Sequence, residues 1–296
     1  MTGTRVLTAL VLIPIVIGVV LFTPTYVVAI AVAVITLQAL REYFQLGDAI
    51  GHRAYRWWTG FCAVLLVTQS WASTGLSVSI TYDARPVAPS TGEIAEFTQR
   101  MSIIAAPMTL FLLFVFGVTV LTLFTRRPLV ESLPAAGISS SGLLLVAFPL
   151  SFAVRLHGLP SQGPRLLLFA LAITWAADTT AYFVGRALGK HPLAPHISPK
   201  KTWEGSIGGI AGSLIIGYVA SFFLRVPLPH LLAIAFLGNL AGQMGDLLES
   251  ACKRSAGVKD SGSLLPGHGG VLDRIDALIL CIPVVWYYLV LVNPPM

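Results

Sequence analysis

Acidic side chains are concentrated in the second half of this chain, inside or next to long apolar stretches. Asp246 and Glu249 are three residues apart, as are Asp273 and Asp276, and residues at this spacing share a helix face. A carboxylate at bilayer depth costs at least about 2.5 kcal/mol, so it requires a cation, water or a hydrogen-bond partner. Two such pairs on separate helix ends would supply the oxygen ligands that Mg²⁺ prefers, although lysine or arginine could neutralise them instead.

The lysines are distributed just as unevenly. All five lie in two polar segments beside the acidic helix ends, at Lys190, Lys200, Lys201, Lys253 and Lys259. A compact, mobile ammonium group is well suited to phosphate oxygens. A bias of basic residues toward the cytoplasmic side would explain their side of the membrane, but not why lysine avoids the other loops. The pattern therefore favours phosphate binding.

Two segments that contain glycine or proline lead into helices beside these lysines. Residues 266–270, Pro-Gly-His-Gly-Gly, cannot form regular helix, and their glycines let backbone N–H groups approach an anion. The helix that we expect from Val271 also favours negative charge at its N-terminus. Residues 198–202 lead in the same way into a helix near Glu204. Asp178, midway along another apolar stretch, either lines a polar cavity or bonds a neighbouring helix.

Composition shows that membrane helices must position these residues. Of the 296 residues, 55% are hydrophobic and 11% are charged, and the mean hydropathy is +0.81. A soluble domain carries about 25% charged residues, so a soluble enzyme, a disordered chain and a secreted disulfide scaffold are excluded. The three cysteines contain no C-x-x-C pair and form neither a disulfide framework nor a thiolate zinc site. We predict an all-α polytopic integral membrane protein with about nine transmembrane helices and a polar, cytoplasmic-side active-site cavity.

A spanning helix needs about 20 mostly apolar residues. The charge-free run 6–40 is too long for one span, and a Thr-Pro-Thr turn at 23–25 divides it. Arg5 before this run resembles the start of a signal peptide, but the run is too long and lacks a convincing cleavage site, so we interpret it as the first span. The other predicted spans are 57–72, 102–124, 137–154, 165–186, 204–224, 231–249 and 271–292.

Loop charge sets the predicted orientation. Thirteen basic residues fall on the side of the N-terminus, and five, including Arg155, fall on the other side. The side with more basic residues is expected to be cytoplasmic. We therefore expect an inner cell membrane protein whose N-terminus and active site are cytoplasmic and whose C-terminus is outside. Residues 73–101 would be an exposed external connection. Residues 1–160 would anchor the protein and offer a lipid or dimer surface, and residues 161–296 would form the catalytic transmembrane domain.

Residues 250–276 read S-A-C-K-R-S-A-G-V-K-D-S-G-S-L-L-P-G-H-G-G-V-L-D-R-I-D. This stretch closely resembles the signature of the phosphatidate cytidylyltransferases, also called CDP-diacylglycerol synthases. Its elements S-x-x-K-R, K-D, H-G-G and D-R-x-D occur without a gap. Similar motifs are G-D-L-L-E-S at 245–250, S-P-K-K-T-W-E-G at 198–205 and D-x-x-A-Y-x-x-G-R at 178–186. The resemblance covers about residues 165–280, whereas the first half is similar only in its hydrophobic spans.

The resemblance implies the Mg²⁺-dependent reaction CTP + phosphatidate → CDP-diacylglycerol + diphosphate. It implies a metal on Asp246 and Asp273, and triphosphate held by the lysines and arginines of both loops. Glu249 and Asp276 are candidates for a second cation or for supporting the ligands. We expect Asp246, Asp273, Lys253, Arg254 and Arg274 to be catalytic. The expected substrate-binding residues are Asp178, Ser198, Lys200, Lys201, Thr202, Lys259, Asp260, His268, Gly269 and Gly270.

The expected partners are CTP, phosphatidate, membrane lipids and a second copy of the chain. Nucleic acid is not expected, because the net charge of +6 is spread over loops without an aromatic-interleaved basic patch. Two alternatives stay open. Another CTP-dependent lipid transferase or kinase would differ in its acceptor. An ion-coupled secondary transporter would also use intramembrane acids, but we find no convincing internal repeat, and the acids lie near helix ends instead of midway.

Overall fold

Long helices make up nearly all of this structure, a computed structural model. It describes residues 2–82, 89–125, 127–160, 162–262, 264 and 269–292, and its side chains are described outside 2–9, 75–82 and 89–106. The helices are α1 (Thr2–Phe22), α2 (Thr25–Ala49), α3 (Arg56–Tyr82), α4 (Pro89–Phe124), α5 (Ser132–Gly142), α6 (Phe148–His157), α7 (Gly163–Leu188), α8 (Trp203–Ala220), α9 (Leu228–Ser255) and α10 (Leu272–Val292). A 3₁₀ turn (Leu129–Glu131) precedes α5, and a π-helical turn (Leu143–Ala147) joins α5 to α6.

The described helices account for the hydrophobic spans. Six segments within the described residues are long and apolar enough to cross a membrane, and they establish an integral membrane protein. They are Thr25–Ala49, Pro107–Phe124, Leu129–His157, Gly163–Leu188, Leu228–Ser255 and Leu272–Val292. Every predicted span overlaps a helix, while the count of nine crossings stays a prediction.

Two predicted boundaries are wrong. Helix α2 continues nine residues beyond the predicted end at 40, because residues 41–46 include two charged residues but no glycine or proline to stop a helix. The predicted external connection 73–101 is largely helical, since α3 runs to Tyr82 and α4 begins at Pro89. Charge marks where a helix can leave the hydrocarbon, but a helix ends only where its backbone is interrupted.

Five basic residues are predicted to lie on the external side. Among those whose side chains the structure describes, only Arg155 is buried. It lies in the last turn of α6 and is 7% exposed. Its guanidinium donates to Ser70 Oγ at 3.1 Å and to Gln69 Oε1 at 3.0 Å. The same group lies over the rings of Phe152 and Trp286, 5.1 Å and 5.6 Å from their centroids. Arg155 therefore bonds between helices and is not a loop charge.

A short hairpin is the exception to the all-α prediction. Strand β1 (Pro192–Ala194) pairs antiparallel with β2 (Ser198–Thr202), with Pro192 opposite Thr202. The sequence analysis treated this polar, proline-containing segment as a loop. Strands of three and five residues are too short for hydrophobic alternation to reveal them. The hairpin connects α7 to α8 and carries two of the five lysines.

Glycines allow the carboxylate-bearing helices to approach closely. Gly238, Gly242 and Gly245 follow one face of α9 and contact α10. A Cβ at Gly245 would lie 2.5 Å from the backbone oxygen of Asp276, and one at Gly242 would lie 3.3 Å from that of Ala277. Gly208 and Gly212 of α8 pack in the same way on α7. Such small residues let helix backbones meet in a membrane, where hydrophobicity alone does not join helices.

We predict that Gly245→Ala destabilises the protein by about 1–3 kcal/mol, because the new methyl group clashes with a backbone oxygen that cannot rotate away. Thermal unfolding in detergent is the measurement. Gly18→Ala in α1 is the matched control, since nothing lies within 4 Å of its added Cβ and alanine is the better helix former. Equal melting temperatures for the two variants would contradict the packing argument.

Candidate active site

Lysine–carboxylate pairs join the hairpin, α9 and α10. Lys201 of β2 forms an ion pair with Asp246 of α9. Lys253, one turn from the end of α9, pairs with Glu249 of the same helix and places its Nζ 2.6 Å from Asp273 Oδ1 of α10. The Glu249 and Asp273 side chains are 5% and 7% exposed, and buried charges of this kind require partners. Five predicted site residues thus form two groups, a one-to-one pair of Lys201 with Asp246 and a cluster in which Lys253 is shared by Glu249 and Asp273.

Several local contacts fix the hairpin that carries Lys200 and Lys201. The backbone N–H of Trp203 donates to the carbonyl oxygen of His191 at 2.9 Å, and His191 Nδ1 lies 2.6 Å from Glu204 Oε1. Thr202 caps α8, because its Oγ1 accepts from the Gly205 backbone N–H at 3.1 Å. A helix N-terminus needs such acceptors for its free N–H groups. The strand is therefore held to the start of α8, with its lysines beside α9.

A cavity of about 360 Å³ opens between α7, the hairpin, α8 and α9, within the size range of small-molecule sites. Lys200, Lys201, Thr202 and Asp246 line it together with Asp178 of α7. Both signs of charge therefore face one space. This cavity brings together five predicted site residues from three separate sequence motifs.

Gln243, which lines this cavity, and the neighbouring Asn239 are polar residues that were not predicted from the sequence. Gln243 of α9 donates to the carbonyl oxygen of Ser206 at 3.2 Å and to Asn239 Oδ1 at 2.5 Å. Asn239, 1% exposed, donates in turn to Ser213 Oγ at 2.7 Å. These amides lie on the same stretch of α9 as Asp246 and connect it to α8. Neutral amides inside apolar runs have no charge signal, which is why sequence reasoning missed them.

The remaining carboxylates lie near the same place. Asp178 and Asp246 also border a small inner cavity with Ala277 of α10. Asp276 interacts electrostatically with Asp178, Asp246 and Glu249, and Arg274 interacts with Asp178. The helix packing therefore gathers acids from α7, α9 and α10 into one region. Like charges so placed repel each other unless cations lie among them.

The chemistry of these donors fits a hard divalent cation. Within the described residues, no group of three or more acidic, histidine or cysteine side chains has the arrangement of a metal centre. Mg²⁺ does not need such a group, because it is commonly bound by one or two carboxylates together with substrate phosphates and water. Asp246 and Asp273 offer carboxylate oxygens from adjoining helices, and one oxygen of each carboxylate is paired with a lysine. The oxygen-only donor set is thus compatible with Mg²⁺.

Asp273 is held tightly at the start of α10. Its Oδ2 accepts from the Ser261 backbone N–H at 3.0 Å, from Ser261 Oγ at 2.9 Å and from the Gly270 backbone N–H at 2.8 Å. Gly269 has φ +80°, and a Cβ there would lie 2.7 Å from Asp273 Oδ2, so this position favours glycine. In this structure the anion that the glycine segment approaches is the Asp273 carboxylate. Only Oδ1 bonds to Lys253.

The other predicted site residues lie around this core. Arg254 is exposed and donates to the carbonyl oxygens of Ile197 at 3.3 Å and Val258 at 3.2 Å, which ties the hairpin turn to α9. Lys259, Asp260 and Arg274 are exposed, and Ser198 is half-buried at the start of β2. His268 lies outside the described residues.

Glu42 of α2 is the main acidic residue that sequence reasoning missed. It is 2% exposed and bonds to the backbone of the α10 N-terminus and to Ser261. The sequence feature that could have pointed to Glu42 is a carboxylate just past a predicted span, in a segment rich in helix-forming residues. It was passed over because the predicted helix ended at 40 and the motif resemblance covers only the second half of the chain.

The chain is similar in sequence to several known proteins. The sequence model of the cytidylyltransferase family matches residues 3–292. A Synechocystis protein named phosphatidate cytidylyltransferase is 36% identical over 89% of this chain and 88% of its own length. Proteins of the same name from Bacillus subtilis and Staphylococcus saprophyticus are 37% and 49% identical over 58% and 42% of this chain. The chain spans 66% and 48% of the lengths of these last two relatives.

We predict that Thr202→Val lowers the free energy of unfolding by about 1 kcal/mol, because it removes the oxygen that caps α8. Thr202→Ser keeps the hydroxyl group and is the matched control. Thermal unfolding in detergent, together with amide hydrogen exchange over residues 203–206, measures the effect. Equal protection of these amides in the two variants would show that the cap is not needed.

Proposed function

The chain belongs to the cytidylyltransferase family, and from that premise we propose that it converts CTP and phosphatidate into CDP-diacylglycerol and diphosphate. Relatives that carry the name phosphatidate cytidylyltransferase support this substrate pair. The observation that carries the proposal is the coupling of Lys201 to Asp246 and of Lys253 to Asp273 across the hairpin, α9 and α10. Ammonium groups for phosphate and carboxylates for a cation are thereby side by side.

The reaction joins two anions, so charge neutralisation and alignment account for most of the catalysis. A phosphate oxygen of phosphatidate attacks the α-phosphorus of CTP. The bond from that phosphorus to the oxygen bridging to the β-phosphate breaks, and diphosphate leaves with the bonding electrons. The attacking phosphate is already ionised, so no general base is required.

Lys201 and Lys253 are the residues that we assign to the phosphates. Their partners are carboxylates at partly exposed or nearly buried positions, and an incoming triphosphate offers these ammonium groups a more highly charged set of oxygens. Lysine can exchange partners without moving the backbone, since its charge lies at the end of a flexible stem. Lys200 lines the same cavity and adds positive charge there.

Asp246 and Asp273 are the residues that we assign to Mg²⁺, with Glu249 and Asp276 available for a second cation. The bound cation would neutralise phosphate oxygens and the leaving diphosphate. Release of Lys201 and Lys253 to the nucleotide would free both carboxylates for this role. Ser261 and the Gly270 N–H continue to hold Asp273 Oδ2 and so keep its orientation.

The remaining predicted residues surround the nucleotide in this proposal. Asp178 and Thr202 face the cavity, and Arg274 lies near Asp178, where it neutralises phosphate or orients the acid. Arg254 supports the hairpin through its bond to the Ile197 carbonyl oxygen and contributes positive charge. Further contacts to the nucleotide or lipid phosphate are proposed for Ser198, Lys259, Asp260, His268, Gly269 and Gly270.

The proposed setting is an inner cell membrane, with the N-terminus and the site cytoplasmic and the C-terminus outside. The distribution of loop charge supports this orientation, and CTP is a water-soluble substrate of the cytoplasm. The acyl chains of phosphatidate would remain in the bilayer and enter between helices. Residues 1–160 would anchor the chain and offer a lipid or dimer surface, and residues 161–296 would carry the catalytic groups.

We predict that Asp246→Asn and Asp273→Asn each lower turnover at least about a hundredfold, because each loses a cation ligand and removes a carboxylate partner of a lysine. Lys201→Ala and Lys253→Ala should raise the KM for CTP or lower kcat. The assay follows labelled CTP into lipid, and diphosphate release, in detergent with and without Mg²⁺. Arg225→Ala removes an exposed charge on the predicted external side of the membrane and should leave the activity unchanged.

Near-normal turnover in either Asp variant would remove the metal assignment. A panel of lipid acceptors tests the acceptor, because a different CTP-dependent transferase would label another lipid and leave phosphatidate unchanged. An ion-coupled transporter would release no diphosphate in this assay.

A further inference from the structure

The start of α10 lacks a cap of its own. Helix α10 begins at Leu272, and the residues just before it are Gly270 and Val271, neither of which has a side-chain oxygen to accept the free N–H groups of a helix N-terminus. The backbone N–H groups of Val271 and Leu272 donate instead to Glu42 Oε1 and Oε2, at 3.0 Å and 2.8 Å. The capping carboxylate therefore comes from a helix 229 and 230 residues away along the chain.

Glu42 is enclosed by the segment that it caps. Ser261 Oγ donates to Glu42 Oε2 at 3.2 Å, and Gln38 Nε2 donates to Oε1 at 3.0 Å. A Cβ on Gly262 would lie 3.0 Å from Glu42 Cδ, and one on Gly270 would overlap Glu42 Oε2. Both oxygens of this carboxylate are thus occupied by donors on opposite sides, at 2% exposure.

The contacts of Glu42 lead directly to Asp273. Ser261 Oγ lies between the two acids, 3.2 Å from Glu42 Oε2 and 2.9 Å from Asp273 Oδ2. Gly270, whose N–H bonds Asp273 Oδ2 at 2.8 Å, packs on Glu42 from the other side. Glu42 and Asp273 therefore share the same two backbone segments. Within the described residues, no lysine or arginine forms an ion pair with Glu42, and the partial positive charge of the helix N-terminus compensates it.

We propose that Glu42 is a positioning residue that fixes the N-terminus of α10 and thereby the direction of the Asp273 carboxylate. It does not touch substrate. Its role follows from geometry: without it, two N–H groups and the Ser261 hydroxyl group lose a buried acceptor, and the segment 269–272 can rotate. The kinetic part of this proposal rests on the proposed function, whereas the structural part does not.

The test is Glu42→Gln, which keeps the size of the side chain but replaces one acceptor oxygen by a donor that opposes the N–H groups. We expect kcat to fall tenfold to about a hundredfold, as for a misplaced catalytic group, with the KM for phosphatidate unchanged. Without nucleotide, amide exchange should accelerate selectively in the 261–272 region. Tyr43→Phe is the control, since it removes a different α2 hydrogen bond, to Ser141, and should do neither.

Ser261→Ala provides a second arm should Glu42→Gln fail to fold. It removes the hydroxyl between the two acids but leaves the backbone bonds of Glu42, so kcat should fall by a smaller factor. In the double variant the two losses should be less than additive, because both act through Asp273. Turnover of Glu42→Gln or Ser261→Ala within twofold of wild type, or exchange that accelerates over the whole bundle, would overturn the proposal. If the wild type shows no turnover but amide exchange in Glu42→Gln still accelerates selectively in the 261–272 region, the proposed reaction is rejected and the structural part of the proposal is kept.

A separate observation concerns the loop between α2 and α3. A cavity of about 1030 Å³ lies between the end of α2, the start of α3 and the end of α4, and it is lined by three arginines and one acid. Arg127 is held in place, because its Nη1 donates to the Arg53 carbonyl oxygen at 2.6 Å and its guanidinium lies 5.3 Å from the Tyr55 ring centroid. Arg56 pairs with Asp48. The cavity therefore has an excess of positive charge.

The walls of this cavity are suited to lipid. Trp57 is 95% exposed and Phe61 is 52% exposed, and exposed tryptophan beside arginine is typical of the interface between bilayer and water. Asp48, which lines the cavity, follows Glu42 by six residues on α2, a rise of about 9 Å at 1.5 Å per residue, so the cavity lies toward the same end of the bundle as Glu42. We infer that it binds the phosphate of an anionic bilayer phospholipid other than the substrate, with Arg53 and Arg127 as donors and the acyl chains along Phe61 and Leu121.

Native mass spectrometry of the protein with phosphatidylglycerol, and with phosphatidylcholine for comparison, tests this site. Arg53→Ala/Arg127→Ala should reduce bound phosphatidylglycerol about tenfold, whereas Arg225→Ala, which removes an exposed arginine elsewhere, should not. Retention of phosphatidylglycerol by the double variant would overturn the inference. A raised KM for phosphatidate in that variant would assign the cavity to the substrate and would equally overturn a site for a bilayer lipid.

Discussion

The burial of several carboxylates at the ends of membrane helices is the constraint on which this bundle depends. Each of these acids is unfavourable in the membrane unless it is neutralised, and neighbouring acids add to one another's cost. Lys201 and Lys253 supply the balancing charge from the hairpin and from α9. Under the proposed function this balance couples two binding events, because a phosphate that draws a lysine away leaves a carboxylate ready for a cation. Binding of the phosphate and binding of the cation would then favour each other.

Close helix packing makes this balance achievable. Acids on α7, α9 and α10 can share one region only if the helix backbones nearly touch, and glycine is the residue that permits such contact in a membrane. Gly245 lies next to Asp246 in sequence and against the backbone of Asp276 in space. The glycines of α8 bring α8 against α7 in the same manner. The glycine pattern and the acid pattern are therefore parts of one arrangement, because each acid is placed by a contact that no larger residue would allow.

Prediction from sequence succeeded where a residue's type alone determined its environment. The apolar runs predicted the membrane helices, and the unusual clustering of lysine with aspartate predicted which side chains meet. Helix α2 beyond residue 40 and the helical part of 73–101 were missed, because polarity was taken to mark the end of a helix. The hairpin was missed because five residues are too few to show a strand period. Gln243 and Asn239 carry no charge, so only their packing between α8 and α9 distinguishes them from ordinary helix residues.

Glu42 explains why the first half of the chain cannot be regarded as an anchor alone. A helix start preceded by Gly270 and Val271 has flexible backbone and no local acceptor, which gives the Asp273 segment freedom to approach a ligand but leaves it unstable by itself. The two residues before Val271 must also stay small, because a Cβ on Gly269 would clash with the Asp273 carboxylate and one on Gly270 with the Glu42 carboxylate. A capping acid from α2 satisfies both requirements. The start of α10 can then form only after α2 has packed, so the active-site geometry depends on assembly of the whole bundle.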